Sequence, residues 1–386
     1  MTFFKKLSHQ ILKNFKSNKL ELHEPIFSKK EINNLNNCIK KGMVSNSRNG
    51  FFVKKFENQI KNFVKTKYVA CTVNGVSGLH VSLLAAGVKK NEEVFVPSLT
   101  FVASAHPILY LGAIPHFVDA NLNNFGVCEE KFETYLKKIS IKRGNNYYNK
   151  KTKRKLSAII VVHVFGNPCN IDKLKKLAKK YKLKLIEDST EALGSFYKKK
   201  HVGNFGETGV FSFNGNKIIT SGGGGAIVTN QKKIYKKISH LISNSKLAHK
   251  WEYLHDQVGY NYRMPNINAA LASAQFEKLK NIIKLKKTIN KKYKKIFSKF
   301  KEIKLLVNTR KVSSNNWLNT LVIKDRKIKK NKLISYFHKQ KIYARPVWKP
   351  LHTLRHLKNF PKMNLDNTKK IYDNSISLPS GPGINK

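Results

Sequence analysis

Apolar and polar positions along this chain follow two different periods, and the switches between them outline its elements. Phe4, Leu7, Ile11, Leu12 and Phe15 recur at helical spacing with lysines between them, which predicts a basic amphipathic helix near the N-terminus. Such a helix can lie on a membrane surface. The expectation here is docking on the chain's own domain or on a partner. The segment lacks the long apolar centre and small-residue cleavage site of a secretory signal.

From Ser28 onward, helical and strand-like periods alternate. Ser28 to Lys41 reads as a helix with Ser28 as N-cap and Glu31 at capping-box spacing, and Phe52 to Phe63 as a second helix. Strands are predicted at Tyr68 to Val73, Glu93 to Val96, Ile114 to Val118, Ala158 to Val162 and Leu183 to Ile186. Helices are predicted from Asn74 to about Ala86, after Ser98 to Val102, over Lys131 to Ile139 and over Ile171 to Tyr181. Residues 141–155 are polar and basic and read as a surface insertion. Two β-like runs, Gly209 to Phe213 and Ala226 to Thr229, follow. This alternation predicts an α/β fold, a mostly parallel sheet flanked by helices. Ligands of such sheets bind beyond the carboxyl ends of the strands, where Asn74, Asp119, His163 and Asp188 are expected to converge.

After Lys246 the pattern changes. Helices Ile267 to Lys286 and Lys287 to Phe300 are expected, then a β region from Trp317 to Ile323, a helix from Lys332 to Gln340 and an irregular tail. The expected organisation is an N-terminal extension and arm at 1–27, a large domain at 28–245 and a smaller α+β domain at 246–386.

Composition narrows the class. At 386 residues, with 41% hydrophobic and 11% aromatic residues, the chain can bury a large core. No apolar run is long enough to span a bilayer. Four cysteines without a CxxC pair argue against a zinc site or disulfide framework, and a reducing cytoplasm is the default. The formal charge is +53, from 75 Lys+Arg against 22 Asp+Glu. The lysines are spread over the chain and travel with Asn and Ile, which points to compositional bias rather than a nucleic-acid stripe. A basic surface still favours an anionic substrate.

Candidate chemistry centres on Lys217. It follows a β-like run and precedes Gly222 to Gly225, so its amine can be presented to a ligand at a strand end. Those glycines fit neither a P-loop nor a GxGxxG dinucleotide site. The turn Asn74-Gly75-Val76-Ser77 opens a helix after a strand and is suited to an anion. Asp188 ends a buried strand. A lysine to form an imine, a carboxylate to keep a pyridine nitrogen protonated and a phosphate-ready turn together fit pyridoxal phosphate, with Phe101 available to cover the ring.

Several segments then resemble one family in the right order. FSFNGNKIITSGGGG is similar to the lysine motif of the DegT/DnrJ/EryC1/StrS sugar-nucleotide aminotransferases, a branch of fold-type I pyridoxal-phosphate enzymes. VNGVSGLHVSLLAAGV, VPSLTFVASAHPILYLGAIPHFVD, VVHVFGNP, IEDSTEALGS, GYNYRMPNINAALASAQ and ARPVWKPLH extend the resemblance from Leu22 to Gly383. The Asn-Gly-Asn-Lys form, Glu191 and the Arg-Pro-Val-Trp segment look most like the subgroup that makes 4-amino-4,6-dideoxy-N-acetylhexosamine nucleotides for bacillosamine- or legionaminic-type sugars.

The resemblance implies roles. Lys217 matches the imine lysine and proton carrier, Asp188 the pyridinium partner and Phe101 the stacked aromatic. Gly75, Val76 and Ser212 match the phosphate cradle, with Val76 replacing the commoner threonine. Asn261 matches a residue that reaches the neighbouring subunit's cofactor, which implies a homodimer with shared sites. His163 and Glu191 fall near the cofactor, and Arg345, Trp348 and His352 near the sugar nucleotide. No metal is implied. The expected reaction moves the amino group of L-glutamate to C4 of a 4-keto-6-deoxy UDP-sugar. The alternatives are a GDP-perosamine-type transaminase, another pyridoxal-phosphate activity on the same fold, and a non-catalytic basic protein that binds nucleic acid or anionic membrane.

Overall fold

The computed structural model of the chain describes residues 3–45, 50–307 and 311–385. Its centre is a seven-stranded sheet. In spatial order the strands are Tyr68–Thr72, Gly225–Thr229, Thr208–Ser212, Lys184–Asp188, Leu156–Val162, Glu93–Pro97 and Ile114–Val118. Gly225–Thr229 runs antiparallel to both of its neighbours, and every other pairing is parallel. Leu156–Val162 is buried at every position, as its unbroken apolar run requires of an inner parallel strand covered on both faces. Helix Gly75–Ala86 packs on Gly225–Thr229, Thr208–Ser212 and Lys184–Asp188, and helix Phe51–Val64 packs on Tyr68–Thr72. The α/β architecture expected from the alternating periods is the one observed.

A second sheet lies further along the chain. Its four strands, in spatial order Ile303–Leu305, Asn319–Ile323, Ser375–Leu378 and Arg345–Pro346, are antiparallel throughout. It has its own apolar core, to which the N-terminal helix Phe3–Phe15 contributes Leu7, Ile11 and Phe15. The Phe15 ring lies 4.9 Å from that of Tyr293, whose hydroxyl donates to Pro379 O at 2.8 Å. The basic amphipathic helix is thus docked on the chain by its apolar face. The arm that follows is tied to this unit by Leu20 N–H to Lys341 O (2.9 Å), Tyr343 N–H to Leu20 O (2.9 Å) and Ser380 N–H to Leu22 O (2.7 Å).

Two expectations are corrected. The paired C-terminal helices are Asn266–Glu277 and Leu279–Phe297, so the break falls at Lys278 and not beside Lys286. No glycine or proline marks it. Lys278 turns its ammonium to Ile26 O (3.3 Å) and to the Glu31 carboxylate, a tertiary anchor. The tail is regular: helix Asp366–Asn374 leads into Ser375–Leu378, an inner strand of the second sheet too short for its period to show. The insertion contains a hairpin, Ser140–Arg143 with Asn146–Asn149. It is tethered by Asn149 Nδ2 (3.0 Å) and Thr152 Oγ1, which donate to the buried carboxylate of Glu93.

Among the described residues no helix is long and apolar enough to cross a membrane, and no group of three or more His, Cys, Asp or Glu is placed to hold a metal ion. All four cysteines are buried and free.

The docking of the first helix predicts a stability effect. Phe15→Ala is expected to cost about 3–5 kcal/mol, as for other fully buried phenylalanines. Urea denaturation reads this directly, and an unchanged midpoint would show that the helix is not part of the core.

Candidate functional site

The carboxyl ends of the parallel strands open into a cavity of about 390 Å³. Asn74, Thr100, Val162, Asp188 and Ser212 line it, each at or just beyond the end of a strand. Trp317 and Trp348, from the part of the chain that builds the second sheet, close it.

One wall is the N-terminus of helix Gly75–Ala86. Asn74 caps it, its Oδ1 accepting from Ser77 N–H at 2.8 Å. The N–H groups of Gly75 and Val76 belong to the first turn and have no acceptor within the helix. The turn is pressed against the opposite strand: a Cβ on Gly75 would lie 3.1 Å from Thr190 Cγ2 and 3.2 Å from Ser212 Cβ. Glycine keeps backbone donors, rather than a side chain, at the cavity wall.

Asp188 faces them from strand Lys184–Asp188, 3% exposed. Ser104 Oγ donates to its Oδ2 at 2.6 Å, and Thr190 donates to its Oδ1 from Oγ1 (2.7 Å) and N–H (3.2 Å). Thr100 Oγ1 lies 2.9 Å from Ser104 Oγ and extends this chain. The carboxylate is therefore held in one orientation. Phe101 lines the mouth and is 55% exposed.

Lys217 completes the set. Its Nζ lies 3.3 Å from Glu191 Oε1 and 4.4 Å from the centroid of the Trp317 ring. Glu191 Oε2 accepts from Phe165 N–H at 2.9 Å. Burial pushes the Glu191 carboxyl up to about 7, and the neighbouring Asp188 charge adds to this, while Lys217 and the Phe165 N–H pull the other way. The Phe165 turn is strained: Phe165 has φ 55° and Gly166 has φ 84°. A Cβ on Gly166 would overlap Asn315 Oδ1, at 1.9 Å, so only glycine fits there. Asn315 holds this region together, donating through Nδ2 to Glu191 O (2.8 Å) and Leu193 O (2.9 Å).

The structure thus brings Gly75, Val76, Phe101, Asp188, Glu191, Ser212, Lys217 and Trp348 to one cavity. Four other candidates lie outside its lining. His163 is fully buried beneath it, Nδ1 accepting from Cys169 N–H (3.3 Å) and Nε2 3.1 Å from Glu187 Oε2. Asn261 is exposed and bridges to Ser243 through its backbone. Arg345 is exposed on a strand of the second sheet. His352 Nδ1 lies 2.7 Å from Ser98 Oγ. Asp119 does not join the strand-end cluster. Its carboxylate accepts from Thr368 N–H (2.8 Å) and Asn367 N–H (3.2 Å) and pairs with Lys131 (2.6 Å), so it ties the two parts of the chain together.

Sequence reasoning missed Ser104, Thr190 and Trp317. The hydroxyls flank Asp188 only after folding. Trp317 stands a hundred positions from Lys217 and carried no spacing signal.

The donor set fits pyridoxal phosphate. The free helix N-terminus suits a phosphate dianion, the fixed carboxylate a protonated ring nitrogen, and the amine an aldehyde.

The model of the DegT/DnrJ/EryC1/StrS aminotransferase family matches residues 25–386. The chain is 33% identical over 366 residues to GDP-perosamine synthase of Escherichia coli O157:H7, covering 95% of this chain and 94% of that protein. It is 32% identical over 339 residues to UDP-4-amino-4,6-dideoxy-N-acetyl-beta-L-altrosamine transaminase of Campylobacter jejuni strain 81-176, covering 86% and 85%. Among solved structures, the Helicobacter pylori PseC aminotransferase of pseudoaminic acid biosynthesis superposes with a TM-score of 0.83 at 26% identity, covering 94% of this chain and 93% of that one.

The raised carboxyl of Glu191 predicts a pH effect on the cofactor-free protein. A carboxyl held above its unfolded value stabilises the fold fully below about 4.5 and loses that contribution as pH rises through about 7. Glu191→Gln removes this dependence. The stability of the variant relative to the parent should therefore improve from pH 5 to pH 8 in urea unfolding, and a flat difference would contradict the burial argument.

Proposed function

The chain belongs to the DegT/DnrJ/EryC1/StrS aminotransferase family, whose cofactor is pyridoxal phosphate, and from that premise we propose that it transfers the amino group of L-glutamate to C4 of a 4-keto-6-deoxy, N-acetylated UDP-sugar. The product is a 4-amino-4,6-dideoxy sugar nucleotide for surface glycan synthesis. The observation that carries this reading is the meeting of Lys217, Asp188 and the open helix N-terminus at Gly75 in one cavity.

The cofactor supplies an electron sink for the carbon that loses its proton. The chain supplies everything else. Gly75 and Val76 N–H groups, with Ser212, would hold the phosphate at the helix N-terminus. Asp188, fixed by Ser104 and Thr190, would keep the ring nitrogen protonated. Phe101, at the cavity mouth, would cover the ring face. Lys217 Nζ is the amine that would hold the cofactor through its aldehyde, and it would carry the proton at the substrate carbon. Glu191, with a carboxyl near 7, can hold or release a proton 3.3 Å from that amine at working pH. Arg345, Trp348 and His352 are assigned to the sugar nucleotide, of which Trp348 lines the cavity. His163 is assigned a place near the cofactor, held by its contact with Glu187.

A second nucleotide is supported by a specific observation: a relative matched over 95% of this chain is named GDP-perosamine synthase. GDP-4-keto-6-deoxy sugars therefore stand beside UDP sugars as substrates. The proposal also includes a homodimer, with Asn261 reaching the partner's cofactor, a large domain at 28–245 with a smaller one at 246–386, and a cytoplasmic location. The four free cysteines suit a reducing compartment.

Two measurements test the reading. Lys217→Ala should abolish both the absorbance at the visible edge and turnover, and retention of both sinks the assignment. Incubation with glutamate and a panel of UDP- and GDP-linked 4-keto-6-deoxy sugars, with and without the N-acetyl group, should yield one aminated product by mass. Amination of a keto acid but no keto sugar would point instead to another transaminase.

A further inference from the structure

Lys217 is contacted by a residue that no strand-end argument reaches. Trp317 is 4% exposed and stands just before strand Asn319–Ile323 of the second sheet. Its ring centroid lies 4.4 Å from Lys217 Nζ, and its Nε1 donates to Asn216 O at 2.8 Å, so one indole holds both the lysine and the residue before it.

The ring is braced from behind. Trp317 N–H donates to Asn315 Oδ1 at 2.9 Å, and Asn315 is itself bonded to Glu191 O. Trp317 O accepts from Lys286 Nζ at 3.0 Å, and the same amine donates to Ser380 O at 2.7 Å. Lys286 is fully buried, so it serves no solvent role. His23, on the N-terminal arm, packs its ring 6.3 Å from the indole, and both of its ring nitrogens are buried without a partner. The arm, the second sheet and the Asn315 loop all converge on this one side chain.

We propose that Trp317 is a positioning residue whose indole face, together with the Glu191 carboxyl group, forms a seat that holds the unbonded Lys217 amine in place and so sets its readiness to react. The inference rests on the reading of Lys217 as the reacting amine. An ammonium is drawn to the face of an indole, most strongly where water is excluded, whereas a neutral amine gains little there. Only the neutral amine is a nucleophile. The charged and titratable groups around this amine are Glu191, Asp188 beyond it, and His23 with Lys286 behind the ring. Of these, Glu191 alone is in direct contact with Nζ as an opposite charge. The seat keeps the amine in place and lowers its reactivity until a ligand displaces it.

The test uses the full-length, cofactor-free protein with a trifluorinated tryptophan placed at position 317, which keeps shape and N–H but drains the ring face of electrons. Fluorodinitrobenzene at neutral pH is the probe, and the labelled Lys217 peptide is followed by mass spectrometry. Labelling should run about tenfold faster than in the parent protein. Trp317→Phe, which retains a ring face, should fall between the two. An unchanged or slower rate in the fluorinated protein overturns the proposal, as does Trp317→Phe labelling faster than the fluorinated protein, which would assign the hold to the Nε1–H bond. A purely structural tryptophan would lower the unfolding midpoint and leave the labelling rate unmoved, which also overturns it. If Lys217→Ala still forms the visible band, the functional reading fails with it. If the band is lost and labelling is unchanged, only the seat fails.

Discussion

Everything around the cavity depends on holding a lysine amine beside two carboxylates with little water. Lys217, Asp188 and Glu191 share that space, and Asp188 and Glu191 are almost fully buried. Isolated charges in such a place are costly unless hydrogen bonds and opposite charges offset the loss of water. The chain meets this differently for each group. Asp188 takes hydrogen bonds from two hydroxyls and a backbone N–H. Glu191 takes one backbone N–H and the lysine, which is not enough to bring its carboxyl down to the usual range. Asp188 is thereby fixed by its hydrogen bonds, while the neighbouring Glu191 is left with a raised carboxyl suited to proton exchange.

The same constraint explains why two sheets meet at this point. The parallel sheet delivers Asn74, Asp188 and Ser212 from strand ends and leaves the amine open on one side. Trp317 and Trp348 cover that side, and Phe165 packs between them, 4.5 Å from Trp348 and 6.2 Å from Trp317 between ring centroids. The cover is held by buried polar contacts rather than apolar packing alone: Asn315 ties it to Glu191 O, and Asp119 ties helix Asp366–Asn374 to the end of strand Ile114–Val118. Such contacts specify one relative placement, because each buried donor or acceptor left unmade would cost about 1–3 kcal/mol.

The parts legible in the sequence were those fixed by local pattern. The parallel strands announced themselves as short β-branched runs, and Asn74, Asp188, Ser212 and Lys217 could be placed because each sits a fixed step from such a run. Glu191 was found from its neighbourhood in IEDSTEALGS, but its raised carboxyl depends on burial, which no motif states. Trp317 and Asn315 were not legible, since their importance arises from contacts a hundred or more residues away in the chain. The break at Lys278 and the strand Ser375–Leu378 were missed for the same reason: each is set by a partner, Glu31 in one case and Asn319–Ile323 in the other. Asp119 is the instructive failure. It occupies a strand end as Asp188 does, yet it caps a helix from the far end of the chain. Strand-end position brings a carboxylate to the edge of the sheet, and the backbone donors nearby decide which way it turns.

The charge balance of the chain follows the same logic. With 22 acidic residues against 75 basic ones, carboxylates are scarce, yet Glu93, Asp119, Glu187, Asp188 and Glu191 are all buried. Each accepts hydrogen bonds that a lysine cannot accept. Glu187 alone takes the N–H groups of Gly203 (2.7 Å), Phe205 (2.5 Å) and Gly206 (2.9 Å). Exchanging these for lysine would leave backbone donors unsatisfied and add a buried cation. Surface positions carry no such constraint, so lysine can accumulate there at little cost to the fold. The high positive charge therefore says little about architecture. Its physical consequence lies outside the core, in a positive field that favours anionic ligands and weakens as salt is added.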